Sequence, residues 1–143
     1  MKTIKQFIDA ARRPPVTVAQ DDTVLQALQV MAQHGIGAVV VMNGDKLAGI
    51  FSERDYARKV ILRGKNSTDT RVAEIMTDKV FYALPAHTVD QVMALMTEKR
   101  IRHMPVLDDQ QHVLGVISLG DMVKATIADQ AFQIEQLEKY IAG

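Results

Sequence analysis

The chain has 143 residues, 48% of them hydrophobic, which is enough to bury a core in one compact domain or in two small repeats fused into one. Seventeen basic residues balance seventeen acidic ones, which excludes a global field for holding a phosphate backbone or an anionic membrane and makes any anion site local. The absence of cysteine excludes disulfides, thiolate metal sites and thiol catalysis, and with no apolar run near about 18 residues and no signal-peptide core the expectation is a soluble, cytoplasmic protein with no membrane partner.

Residues 4–8 are a short helical lead-in, after which the stiff pair Pro14-Pro15 delivers Val16-Thr17-Val18 as a strand. Asp22 is the expected cap of a helix whose apolar positions Val24, Leu25, Leu28 and Met31 recur at helical spacing, and Gly35 ends it. The run Ala38-Val39-Val40-Val41-Met42 reads as a buried strand. Asn43-Gly44-Asp45 turns the chain, Leu47-Ala48-Gly49-Ile50-Phe51 returns, and Ser52 opens a helix carrying Tyr56, Val60 and Ile61.

The pattern then recurs. Shifted by 65 residues, Val24, Met31, Ile36 and Val41 fall on Val89, Met96, Ile101 and Val106; one extra turn residue makes the shift 66, so that Gly49, Ser52 and Asp55 fall on Gly115, Ser118 and Asp121. The slip belongs in the hairpin loop, where an insertion is least costly. The expected organisation is a lead-in segment over residues 1–14, a first repeat over 15–63, a linker with its own lead-in helix over 64–79, a second repeat over 80–128 and a C-terminal helix over 129–143. The fold class is α+β, each repeat running strand-helix-strand-strand-helix, with the copies packed about a pseudo-two-fold axis because neither buries its apolar face alone. Ile134, Leu137 and Ile141 give the tail helix one apolar face, which either docks on its own module or contributes to a dimer.

The duplicated Gly-apolar-apolar-Ser-x-x-Asp, with Ile75-Met76-Thr77 and Arg102-His103-Met104-Pro105-Val106, resembles the cystathionine-beta-synthase (CBS) domain, and the tandem resembles a Bateman module from about Pro15 to Ile127. Ser52-Glu53-Arg54-Asp55-Tyr56 is similar to small stand-alone bacterial CBS-pair proteins. The resemblance implies ligand sensing without catalysis, adenosyl ligands in clefts between the repeats, a site role for Thr77, and Arg102 and His103 at a cleft mouth.

The residues themselves support a nucleotide clamp. Each strand delivers a serine to a helix start, where unpaired N–H groups and the helix dipole favour an anion. Asp55 and Asp121, one turn later, can accept from both hydroxyls of a ribose. A single Ser-x-x-Asp is an ordinary capping box worth about 1 kcal/mol; two in equivalent positions of facing repeats point to ligand. With no Trp and few aromatics, a base would lie between aliphatics, with Val16, Ile36, Ile50, Val80, Ile101 and Val116 as candidates. A backbone N–H and C=O can pair with the adenine edge, whereas guanine would leave both unpaired. Arg54, Arg100, Arg102 and His103 supply the phosphate end. Gly37-Ala38 against Arg102-His103, and Arg54 against Gly120, predict unequal sites, one for a compact ligand such as AMP and the other for a longer one such as NAD or ATP.

Other chemistries are poorly served. Gly35-Ile36-Gly37 follows a helix and lacks the third glycine of a dinucleotide fingerprint. Ser118 lacks the upstream glycine of a nucleophile elbow. The four histidines form no spaced metal-ligand pair, and nucleic acid is disfavoured by charge and composition. The expectation is a non-catalytic sensor, a homodimer signalling to an unidentified regulated protein. A ligand-free interaction module and an enzyme using Asp55 or Asp121 as a base are the alternatives.

Overall fold

The computed structural model describes residues 2–142. Helix α1 (Ile4–Ala11) is followed by β1 (Thr17–Ala19), α2 (Val24–His34), β2 (Ala38–Asn43), β3 (Lys46–Ser52) and α3 (Glu53–Tyr56), which runs on as a π-helical turn, Ala57–Ile61. The second half comprises α4 (Val72–Ile75), α5 (Val89–Lys99), β4 (His103–Leu107), β5 (Val113–Ser118) and α6 (Leu119–Ala142). None of these helices is long and apolar enough to cross a membrane.

The duplication is visible down to single residues. β1 pairs parallel with β2, which pairs antiparallel with β3. β4 and β5 repeat that hairpin, and the register slips at equivalent points, Val41/Met42 and Val106/Leu107. The extra residue does lie in the hairpin loop: Gly44, at φ 65°, makes the first turn, whereas in the second the Asp108 carboxylate accepts from Gln110 N and His112 N and Gln111 takes the left-handed conformation. The copies differ at their start. The opening strand expected at Val80 is reduced to one parallel bridge between Ala83 and Val106, and Val80 lies in no strand.

The helix starts are set by threonines. Thr23, extended at φ −74° and ψ 157°, caps α2 in a reciprocal box with Gln26, and Thr88 caps α5 with Gln91 in the same way. Asp22, the cap expected from the sequence, instead accepts from Ala19 N through its carboxylate and from Val72 N through its carbonyl.

That last bond belongs to an exchange. α4, which precedes the second repeat, packs Val72 and Ile75 into the first core, beside Val24, Met31, Val39, Val41 and Phe51. α1, which precedes the first repeat, packs Ile4 into the second core with Met96, Met104, Val106, Ile117 and Met122, and Phe7 and Ile8 lie against it. Paired helix starts secure each crossing: Ile4 N donates to His87 O and Val89 N to Lys2 O, while Val72 N donates to Asp22 O and Val24 N to Thr70 O. Four helix N-termini thereby satisfy donors that a helix cannot satisfy itself. Each lead-in helix completes the other repeat's core.

The tail settles one alternative. α6 is continuous, and from Gln130 to Ile141 every side chain is exposed, including Ile134, Leu137 and Ile141. The apolar face does not dock on its own module.

Candidate functional site

Both Ser-x-x-Asp copies form capping boxes. Ser52 N donates to Asp55 Oδ2 at 3.0 Å and Asp55 N to Ser52 Oγ at 3.2 Å; Ser118 N donates to Asp121 Oδ2 and Asp121 N to Ser118 Oγ, each at 3.0 Å. The next N–H is also engaged, Glu53 N by Gly37 O and Leu119 N by Arg102 O. An anion at either helix start therefore finds fewer open donors than the sequence suggested. The capping role is real in both copies, and what differs is the rest of each carboxylate.

In the first copy the carboxylate is fully engaged. Asp55 is 8% exposed, and its Oδ1 accepts from Thr77 Oγ1 at 3.1 Å and pairs with Lys59 Nζ at 3.1 Å. Thr77 also binds the strand edge, with Ile50 N donating to Thr77 O and Thr77 N to Ile50 O, each at 2.9 Å. Gly49 makes this approach possible, because a Cβ there would stand 2.6 Å from Thr77 O and 2.8 Å from Met76 Sδ. Ser52, Asp55, Ile50 and Thr77 are brought together, around one another.

In the second copy the carboxylate opens on a cleft of about 360 Å³. Its walls come from both repeats: Val16, Ile36, Gly37 and Ala38 from the first, and His103, Val116, Ser118 and Asp121 from the second. Among the described residues Asp121 Oδ1 makes no hydrogen bond, and Oδ2 takes Arg13 Nη2 at 3.3 Å besides Ser118 N. Val116 occupies the ladder position of Ile50, opposite Pro105, which has no N–H to offer. By the alternation of an antiparallel ladder its N–H and C=O face the edge that Thr77 closes in the other copy. No bridge covers that edge among the described residues.

Together with His34, Arg13 and Asp121, His103 lines this cleft. Burial lowers its pKa from the ordinary value, opposed by the negative charges of Glu53 and Asp121 and reinforced by Arg102. Its ring lies against Gly37, where a Cβ would stand 3.4 Å from both Cε1 and Nε2. The glycine makes room for the imidazole at the seam.

The remaining candidates lie elsewhere. Arg54 donates to the backbone carbonyl of Arg100 at 3.1 Å, which turns its guanidinium to the end of α5. Ile101 packs on the second core, Arg102 is exposed, and Val80 lines a separate depression between the hairpin ends with Lys46, Tyr82 and His112. Sequence reading missed Arg13. Its position beside Pro14-Pro15 was the available signal, but only the crossing of α1 onto the second repeat brings it to Asp121.

Comparison with known proteins agrees with this architecture. The CBS-domain family model matches twice, over residues 4–62 and 72–128. A mitochondrial CBS domain-containing protein of Arabidopsis thaliana, CBSX3, is 43% identical over 128 residues, 86% of this chain and 62% of that protein's length. A putative signal-transduction protein with CBS domains from Burkholderia ambifaria is 49% identical with a TM-score of 0.83, over 90% of this chain and 96% of that one. The CBS domain pair of protein MJ0100, solved with 5′-methylthioadenosine and S-adenosyl-L-methionine, superposes with a TM-score of 0.80 at 25% identity, over 90% of this chain and 98% of that one. Two copies of one α+β unit, joined by exchanged lead-in helices and matched along nearly their whole length, place this chain in the CBS-domain family as a tandem pair.

Proposed function

We propose that the chain is a non-catalytic regulatory module that binds an adenine nucleotide at Asp121, acts as a homodimer and passes its occupancy to a separate protein. The observation that carries this reading is the free Asp121 Oδ1 in the same cleft as the uncovered backbone edge of Val116. A ribose needs the first and an adenine edge the second. Ile36, Val16 and Val116 supply the aliphatic walls, and the adenosyl ligands of the MJ0100 pair belong to the same chemical class.

AMP is the proposed ligand. The cleft volume suits a mononucleotide, and Arg13 and His103 supply a cation and a tunable donor for one phosphate. ATP and NAD, which are longer, are the alternative ligands of the same class. At the first copy a ligand would have to displace Thr77 from both Asp55 and Ile50, which makes that site the weaker one. Because the cleft is built from both repeats, a ligand favours whichever arrangement binds it better, by the difference in affinity.

Calorimetry of the full chain with AMP, ATP, NAD, methylthioadenosine and S-adenosylmethionine tests this. Binding of AMP by wild type, weakened at least tenfold in Asp121→Ala, is expected. No binding by wild type overturns the reading; equal binding by the variant overturns the site.

A further inference from the structure

The second half of α6 carries a heptad stripe that the module's own packing leaves uncovered. Ile127, Ile134 and Ile141 recur every seven residues, with Val123, Gln130 and Leu137 at the alternate position. The five apolar members are all exposed, from 39% at Val123 to 83% at Ile141. At about 100° per residue, the stripe lies roughly a quarter turn from Met122, Thr126 and Asp129, the half-buried or buried side of the helix. Folding and this stripe use different faces. Phe132 lies across the helix from the stripe, whereas Tyr140 flanks it, seven residues on from Gln133.

We infer that the C-terminal helices of two copies pair along this stripe as a short, parallel, in-register two-stranded coiled coil. The inference deepens the homodimer proposed above by naming its surface. Ile fills all three positions of one kind, and Leu137, at the C-terminal end of the other, completes with Ile134 and Ile141 the β-branched-with-Leu arrangement that favours two parallel strands. In register, Gln130 meets its own counterpart, and an amide both donates and accepts, so the one polar layer is self-complementary and disfavours other registers. The flanking pairs across the seam are Thr126 with Ala131 and Gln133 with Glu138, so no like charges face each other. Burying the five apolar side chains on each helix removes on the order of 1,000 Å² from water, near the lower limit for a specific interface. A free helix of this length is marginal in water. Here its first turns are already held by Met122 in the second core, so the zipper need not nucleate its own helix.

The test is the mass of the full chain by light scattering, with circular dichroism as the check on folding. Wild type is expected at twice the chain mass, Ile134→Asp at one chain mass with native helix content, and Phe132→Asp still at twice. Because the chain has no cysteine, Ile134→Cys is expected to oxidise to a covalent dimer, a pairing that parallel register permits and a shifted one does not. A monomeric wild type overturns both homodimer and zipper. A dimer that survives Ile134→Asp leaves the homodimer standing and overturns the zipper. Cross-linking through Phe132→Cys in preference to Ile134→Cys overturns the register.

Discussion

Arg13 Nη2 stands 3.3 Å from Asp121 Oδ2, joining the segment that leaves α1 to the first turn of α6 across 108 residues of chain. Thr77, in the segment that leaves α4, stands in the corresponding relation to Asp55. In both copies, then, the residue that meets the aspartate follows an exchanged lead-in helix. The difference is strength. Thr77 is fixed by two backbone bonds to Ile50; Arg13 is 55% exposed and held by one ion pair and a cation–π contact over Phe7 at 5.9 Å.

An exposed pair of this kind is worth about 0–1 kcal/mol. Arg13→Ala therefore frees Asp121 for an uncharged ligand and removes a phosphate partner for a charged one. Calorimetry is expected to show methylthioadenosine binding unchanged or up to about fivefold tighter, and AMP binding weaker by about tenfold. AMP binding that matches wild type removes Arg13 from the site.

Thr77→Val keeps the shape of the side chain and deletes the hydroxyl that Asp55 Oδ1 accepts from. A part-buried carboxylate left short of one partner loses about 1–3 kcal/mol of stability. Denaturant titration should show the midpoint fall with little change in slope. AMP affinity at the Asp121 cleft is expected to stay within twofold of wild type, since Thr77 does not line it.

The two motif glycines should differ in tolerance. In Gly49→Ala the new methyl meets backbone at Thr77 O, 2.6 Å away, whereas in Gly115→Ala it meets only the end of the Ile8 side chain at 3.0 Å. Overpacking against backbone is expected to cost about 2–3 kcal/mol, and against a movable side chain about 1 kcal/mol or less. Thermal melts of the two variants rank them; equal or reversed loss contradicts the geometry.

The lowered pKa of His103 carries a sign. Below its ordinary pKa the unfolded chain takes up a proton that the folded chain resists, so stability is present near neutral pH and lost as pH falls through that value toward the lower folded one. Between pH 7.5 and 5.5, wild type is expected to lose more melting temperature than His103→Gln. A phosphate beside the ring opposes the effect of burial, as Glu53 and Asp121 do, so AMP should bind with proton uptake at the ring, read by calorimetry in buffers of different ionisation enthalpy, and this uptake should be lost in His103→Gln. Uptake unchanged in His103→Gln would separate His103 from the phosphate.

Much of the fold was legible because duplication and periodicity are local signals. The two hairpins, the glycine at the end of α2, the serines at the helix starts and the loop that absorbs the extra residue were all readable from residues within a turn or two of each other. Asp22 shows the limit of that reading. Asp and Thr are both good caps, but Thr23 holds the position while the Asp22 carboxylate turns back to accept from Ala19 N and its carbonyl accepts from Val72 N of the helix that precedes the second repeat. The reduced opening strand at Val80 is a similar case, since correspondence with the first repeat does not by itself secure a pairing partner.

The sequence alone determined the repeated unit, its hairpins and the pair of Ser-x-x-Asp boxes, because these depend on spacing along the chain. Only the tertiary structure decided which core each lead-in helix completes, since Ile4 and Val72 each pack on the repeat they do not lead into and no local spacing encodes that choice. The exchange then decided the site. It carries Thr77 onto Asp55 and Ile50, closing one copy with well-placed backbone bonds, and carries Arg13 to Asp121 while leaving Oδ1 and the Val116 edge open. Two nearly identical motifs thus present different chemistry because different distant segments reach them.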